Sequence, residues 1–173
     1  ASCLVGSEMC IRDSHYTETA EEYNGTNWSE IGDMNYGKTN LAGLGNTEAA
    51  LAVGGNPNPG GHAPGNDTDV EEWTGSSWSM VTSTLTQDSE TYHNRNGSGA
   101  GTVNDAHVFG GFYQYYRNPT QPSYIYCRDA RSQHYDGTSW SYGGRLITGR
   151  IDGGGDGTCL LYTSDAADEW CGV

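Results

Sequence analysis

A nine-residue pattern that occurs three times constrains the fold of this chain more than any other feature. Glu21-Glu22-Tyr23-Asn24-Gly25-Thr26-Asn27-Trp28-Ser29 aligns without gaps with Glu71-Glu72-Trp73-Thr74-Gly75-Ser76-Ser77-Trp78-Ser79 and with Gln133-His134-Tyr135-Asp136-Gly137-Thr138-Ser139-Trp140-Ser141. Each copy carries an aromatic residue, then Gly, then Trp-Ser at fixed offsets. A second block also recurs. Gly43-Leu44-Gly45 through Leu51-Ala52-Val53-Gly54-Gly55 aligns with Gly99-Ala100-Gly101 through His107-Val108-Phe109-Gly110-Gly111. Self-similarity at a period near fifty residues signals stacked copies of one supersecondary unit.

Each part of the unit has a local physical meaning. The segments 49–53 and 106–109 are short and largely apolar and end in Gly-Gly. They suit buried strands that end where the backbone turns with positive φ. Asn24-Gly25 and Asp136-Gly137 predict two-residue type I′ hairpin turns, and Thr74-Gly75 is a weaker form of the same signal. The flanking pairs Tyr23 and Trp28, Trp73 and Trp78, and Tyr135 and Trp140 are then large rings on adjacent strands, able to cover a sheet face. Strand-like segments, Gly-rich turns and little helical periodicity imply an all-β chain. The first full unit is expected to place four strands at 39–45, 48–54, 68–73 and 77–81.

The two ends stand apart from this repeat. Met9-Cys10-Ile11-Arg12-Asp13 and the first base of Ser14 can be encoded as ATG TGT ATA AGA GAC A. The reverse complement, TGT CTC TTA TAC ACA T, encodes Cys159-Leu160-Leu161-Tyr162-Thr163 and opens Ser164. Residues 1–14 and 159–173 therefore resemble translated sequencing-library adapters, and the sequence reading sets both aside as non-native. Residues 15–158 remain as one domain, expected to be an internal segment of a longer protein. Of the five cysteines only Cys127 falls in that core, so no intrachain disulfide can be argued from it and the redox compartment is undetermined.

Strand order, Gly-Gly ends and the later Tyr and Trp together resemble the kelch-type β-propeller repeat, galactose oxidase-like in architecture, across nearly all of 15–158. The resemblance implies a partial propeller of four-stranded blades: two full blades, preceded by strands three and four of another and followed by the first strand of a fourth near 146–158. It assigns structural roles to Gly54, Gly55, Gly110, Gly111, Tyr23, Trp28, Trp73, Trp78, Tyr135 and Trp140. The missing blades of the parent chain would be its nearest partners. The Tyr-Asn-Gly-Thr-x-Trp form is similar to repeats in virus-associated and marine microbial surface proteins, which implies an extracellular or virion-associated setting.

Charge narrows the partners. The whole chain has 8 Lys and Arg against 22 Asp and Glu, and the core keeps 7 against 17. Such an excess of negative charge repels phosphate backbones and anionic membrane surfaces, so neither nucleic acid nor membrane is an expected partner. No apolar run approaches membrane-spanning length.

Function is expected where the two full units differ. Trp28 to Trp78 is 50 residues and Trp78 to Trp140 is 62. The extra residues split evenly between the connection before strand one, about 82–96, and the connection between strands two and three, about 112–132. In a four-stranded meander both emerge on one side. The second insertion holds Phe112, Tyr113, Tyr115, Tyr116 and Arg117, with Tyr124 and Tyr126 beyond. Exposed aromatics stack on sugar rings or fill pockets on a protein partner. The expectation is a non-catalytic recognition or structural module that meets a glycan or protein on this loop face. The alternatives are part of a galactose oxidase-like copper enzyme and an intracellular kelch scaffold.

No cofactor, catalytic residue or metal ligand is assigned. His15, His62, His93, His107 and His134 lack metal-ligand spacing, and each reads as a surface or strand position. Asp152-Gly153-Gly154-Gly155-Asp156-Gly157 is only faintly similar to calcium-binding Gly-Asp repeats, and the propeller register accounts for its glycines.

Overall fold

A computed structural model of the chain describes residues 2–3, 9–11, 18–57, 68–86, 92–118, 121–153 and 155. At 2–3, 9–11, 57, 92–95, 113–118 and 121–126 it describes the backbone alone. The strands are β1 Ser2–Cys3, β2 Met9–Ile11, β3 Ala20–Tyr23, β4 Trp28–Glu30, β5 Lys38–Thr39, β6 Ala42–Gly45, β7 Ala50–Val53 and β8 Asn56–Pro57. They continue with β9 Val70–Trp73, β10 Trp78–Met80, β11 Tyr92–Thr102, β12 Asp105–Asn118, β13 Gln121–Arg128, β14 Ser132–Tyr135 and β15 Trp140–Tyr142. All pairing is antiparallel and no helix occurs among the described residues.

Three sheets repeat one meander. The first runs β1-β2-β3-β4, the second β6-β7-β9-β10, and the third β11-β12-β14-β15 with β13 paired to β12. The second sheet falls inside the four segments read from the repeat. The first differs from that reading: the sequence supplied only its third and fourth strands, and the structure completes it with Ser2–Cys3 and Met9–Ile11 from the end set aside as non-native. After β15, the described residues hold an isolated bridge from Arg150 to Asp129 where a further first strand was expected.

The sheets stack because β7 is apolar on both faces. Ala50 and Ala52 pack with Ala20, Leu41, Trp73 and Trp78 against the first sheet. Leu51 and Val53 pack with Leu44, Val70, Val108, Tyr135 and Trp140 against the third. Alternation along a strand puts successive residues on opposite faces, so a strand that is apolar throughout needs a layer on each side. Each aromatic pair faces the preceding sheet. Trp78 and Trp140 are therefore buried, whereas Trp28 is 44% exposed, with no preceding sheet among the described residues.

Backbone geometry sets the spacing between inner strands. Asn40, Asn96 and Asp152, 56 residues apart, all adopt positive φ. Asn96 N–H donates to the Asn40 carbonyl at 2.9 Å, and Asp152 N–H donates to the Asn96 carbonyl at 3.0 Å. These are residue types that tolerate the left-handed region. Gly99 sits where an added Cβ would lie 2.9 Å from Leu44 Cδ2, so β11 and β6 approach closely. The Gly-Gly ends have positive φ at Gly54, Gly55, Gly110 and Gly111, as the sequence implied.

The hairpin turns differ from the type I′ expectation. Gly25, Gly75 and Gly137 have positive φ, but Asn24, Thr74 and Asp136 do not. The registers Tyr23 to Trp28, Trp73 to Trp78 and Tyr135 to Trp140 leave four loop residues in each turn. The side chain of the first loop residue replaces the missing second left-handed residue. Asn24 Oδ1 accepts from the Thr26 and Asn27 N–H groups at 3.0 Å. Asp136 Oδ1 accepts likewise from Thr138 and Ser139, and these backbone bonds hold its carboxyl below the ordinary range.

A repeated polar clasp joins the sheets. The chain leaving β4 presents Asn35 to the second sheet, and the chain leaving β10 presents Thr86 to the third. Gln133 Oε1 accepts from Thr86 N–H at 2.8 Å while its Nε2 donates to the Thr86 carbonyl at 2.9 Å. Thr86 Oγ1 also donates to the Trp140 carbonyl. At the equivalent position Glu71 Oε2 accepts from Asn35 N–H at 2.7 Å and Nδ2 at 2.9 Å, and Asn35 Nδ2 also donates to the Trp78 carbonyl. Glu71 is fully buried, and its Oε1 has no hydrogen-bond partner among the described residues. A Gln there supplies the donor that Gln133 already uses. Glu71→Gln is expected to raise stability by about 1 kcal/mol and Gln133→Glu to lower it by about 1–3 kcal/mol, read from urea-unfolding midpoints.

Candidate functional site

The third sheet departs from its neighbour where the sequence is longer. In the second sheet, the chain beyond Gly54-Gly55 makes the short β5–β8 ladder, with Lys38 paired to Pro57 and Thr39 to Asn56. In the third, β12 continues through Gly110-Gly111 to Asn118, and β13 returns beside it. The start of β11 lies on its other edge, with Tyr92 paired to Tyr113. The two insertions thus meet on one side, as the meander geometry implied. They form a three-stranded extension, which corrects the expectation that 112–132 is a loop. Aromatic runs favour the pleated conformation, and a length difference between repeats carries no information about pairing.

Phe112, Tyr113, Tyr115, Tyr116 and Arg117 all lie on β12 within this extension. Tyr113 pairs with Cys127, Tyr115 with Ile125 and Tyr116 with Tyr124. Phe112 is half-buried and stands opposite His93, Asn94 and Arg95, where two register shifts make a bulge. Bulges bend and twist the strands that carry them. Asp129 fastens the base of the extension. It accepts from Arg131 N–H at 2.8 Å and from Arg131 Nε at 2.7 Å, both side chains being buried. Its own N–H donates to the Gly111 carbonyl, and Gly111 N–H donates to the Arg150 carbonyl.

Cys127 is buried and disulfide-bonded, a bond for which the core sequence gave no basis. The other four cysteines all lie in 1–14 and 159–173. The side chains of those four lie outside the described residues.

A second constellation was missed. His107 on β12 and His134 on β14 are cross-strand partners, and their rings stack with centroids 4.4 Å apart. His134 Nε2 lies 2.7 Å from Asp105 Oδ1, and His107 Nε2 lies 3.8 Å from the same oxygen. One potential ligand atom from each of the three residues lies within 4.8 Å of the others. The sequence reading treated the two histidines as unrelated positions. The repeat aligns them with Leu51 and Glu72, which are likewise cross-strand partners in the second sheet, but only the strand register shows the pairing. Ala106 and Val108 point into the core between sheets, so the intervening His107 faces the opposite way. His15, His62 and the side chain of His93 lie outside the described residues, as do Asn58 to Asp67 and Asp156.

Desolvation lowers the pKa of His107 from its ordinary 6.5; the neighbouring His134 lowers it further, and Asp105 opposes both. No family model and no curated protein matches this chain. Among solved structures, that of YjhT is similar with a TM-score of 0.57 at 16% identity, covering 80% of this chain and 42% of that one. At that identity the likeness is one of fold alone. This chain spans less than half the length of YjhT.

Because the folded-state pKa of His107 lies below the unfolded value, its contribution to stability is full above pH 6.5 and is lost as pH falls from 6.5 through the folded pKa. Imidazole proton shifts followed by NMR should show His107 titrating below 6.5, lower still in Asp105→Asn and higher in His134→Ala.

Proposed function

We propose that this chain is a non-catalytic recognition module, part of an extracellular or virion-associated kelch-type β-propeller that meets a glycan or protein partner through the extension of its third sheet. The observation that carries this reading is the conversion of a two-residue ladder into the long β12–β13 hairpin, found on one sheet among the described residues. Its stem is tied by Asp129, Arg131 and Gly111, so aromatic residues stand on a paired scaffold. Ordered strands present a binding surface at lower entropic cost than a free loop. The side supporting a copper enzyme is weakened at Cys127, whose disulfide removes the thiol from the Tyr, His and Cys set expected of that alternative. Further sheets of the same kind are the second class of partner: the exposed Trp28 presents the ring that Trp78 and Trp140 bury against a preceding sheet.

A glycan array probed with the chain and with a Tyr113→Ala, Tyr115→Ala, Tyr116→Ala triple variant tests the reading. Selective binding that falls by about tenfold or more in the variant is expected, because aromatic anchors dominate such contacts. Absence of binding by the chain, or equal binding by both proteins, counts against a glycan partner.

A further inference from the structure

We propose that Asp105, His107 and His134 form a binding site for a divalent transition-metal ion, with zinc the best-matched occupant. The site is separate from the aromatic extension and does not depend on it. Its frame is rigid: His107 and His134 are opposed in the β12–β14 ladder, whose other face carries Ala106, Val108 and Tyr135 in the core. Asp105 opens β12 directly after the turn at Val103 and Asn104, which places it over the histidine pair.

The distances fit with a small adjustment. Zinc takes His nitrogens at about 2.0–2.1 Å and carboxylate oxygens at about 2.0–2.2 Å, so tetrahedral ligand atoms stand roughly 3.3–3.5 Å apart. The two separations at Asp105 Oδ1, 2.7 and 3.8 Å, lie on either side of that value. The three ligand atoms lie within 4.8 Å of one another, and the two rings are stacked with centroids 4.4 Å apart, so binding requires the imidazoles as well as the exposed Asp105 carboxylate to turn toward a common point. The donor set selects the metal. Two imidazoles and one carboxylate suit zinc, copper(II), nickel or iron(II), whereas calcium and magnesium require shells of oxygen. Three protein ligands leave a fourth position for water or for a donor from a bound molecule.

Metal ligation requires neutral imidazole, and burial and the adjacent ring hold His107 in that form. A bound cation would be neutralised in part by Asp105. The corresponding positions in the second sheet are Ala49, Leu51 and Glu72, a set that offers one ligand, so the site is particular to the third sheet. Leu51 also shows that this strand position accepts an apolar residue.

Equilibrium dialysis of the complete chain against zinc, with metal quantified by mass spectrometry, is the direct test. About one equivalent per chain is expected, and cobalt(II) in place of zinc should give the intense visible bands of a four-coordinate site. His107→Leu, which copies the second sheet, and His134→Gln should each weaken binding by about tenfold or more while leaving the far-ultraviolet circular dichroism unchanged. Asp105→Asn should weaken it less. Replacing His15, His62 and His93 together should leave it unaltered. Sub-stoichiometric zinc uptake by the chain overturns the proposal. So does binding that survives the His107→Leu, His134→Gln double variant, or that disappears with the other three histidines. If a single variant fails to fold, protection of the His107 and His134 imidazole resonances from pH titration by added zinc decides the question in the unaltered chain; unchanged titration curves overturn it.

Discussion

The structure depends on one strand that is apolar on both faces. Ala50 and Ala52 are buried against the first sheet, and Leu51 and Val53 against the third. Full burial of a Leu or Val side chain is worth about 1.5–3 kcal/mol, so leaving either face of this strand in water would be costly for so small a sheet. The β6-β7-β9-β10 meander therefore occurs as the middle layer of three. The rings of Trp73 and Trp78 close one side, and those of Tyr135 and Trp140 close the other. Hydrophobic burial is non-directional, however, and does not set the angle or register of one sheet on the next. That is done by the polar clasps at Asn35 and Thr86 and by the backbone bonds linking Asn40, Asn96 and Asp152.

The two candidate sites follow from where this stacking is interrupted. Strand β12 serves three purposes along its length. Ala106 and Val108 bury one face against the second sheet. Asp105 and His107 occupy the other face, free of a covering sheet among the described residues. Beyond Gly110-Gly111 the strand leaves the stack altogether and becomes the centre of the aromatic extension. A chain that repeats one structural unit keeps its core positions nearly constant because each must fit a neighbour. Variation is cheapest where the unit meets no neighbour, at its connections.

Much of the fold was legible. The strands at Val70–Trp73 and Trp78–Met80 follow from the aromatic, Gly and Trp spacing, and the positive φ at Gly54 and Gly110 follows from the Gly-Gly pairs. The turn type was misread because Asn24 and Asp136 can cap a turn with a side-chain oxygen as readily as adopt left-handed geometry. The extension was read as a loop because insertion length says nothing of pairing. The two histidines are separated by 27 residues and no spacing links them; the pairing of their equivalents Leu51 and Glu72 is likewise set by strand register, which the sequence does not show. Setting aside the terminal segments removed the cysteines with which Cys127 could pair.

By itself, the amino-acid sequence determined the repeating unit, its four-strand order and its cross-strand aromatic pairs. Those properties are encoded within stretches of a few residues, through side-chain alternation and glycine's access to positive φ. It also determined that the two insertions would emerge together, since a meander alternates its ends. Only the tertiary structure decided which faces are covered, that the inserted residues pair as strands, and that Asp105, His107 and His134 converge. These depend on contacts between residues distant in the chain, and pairing energy and burial are properties of the partner as much as of the residue.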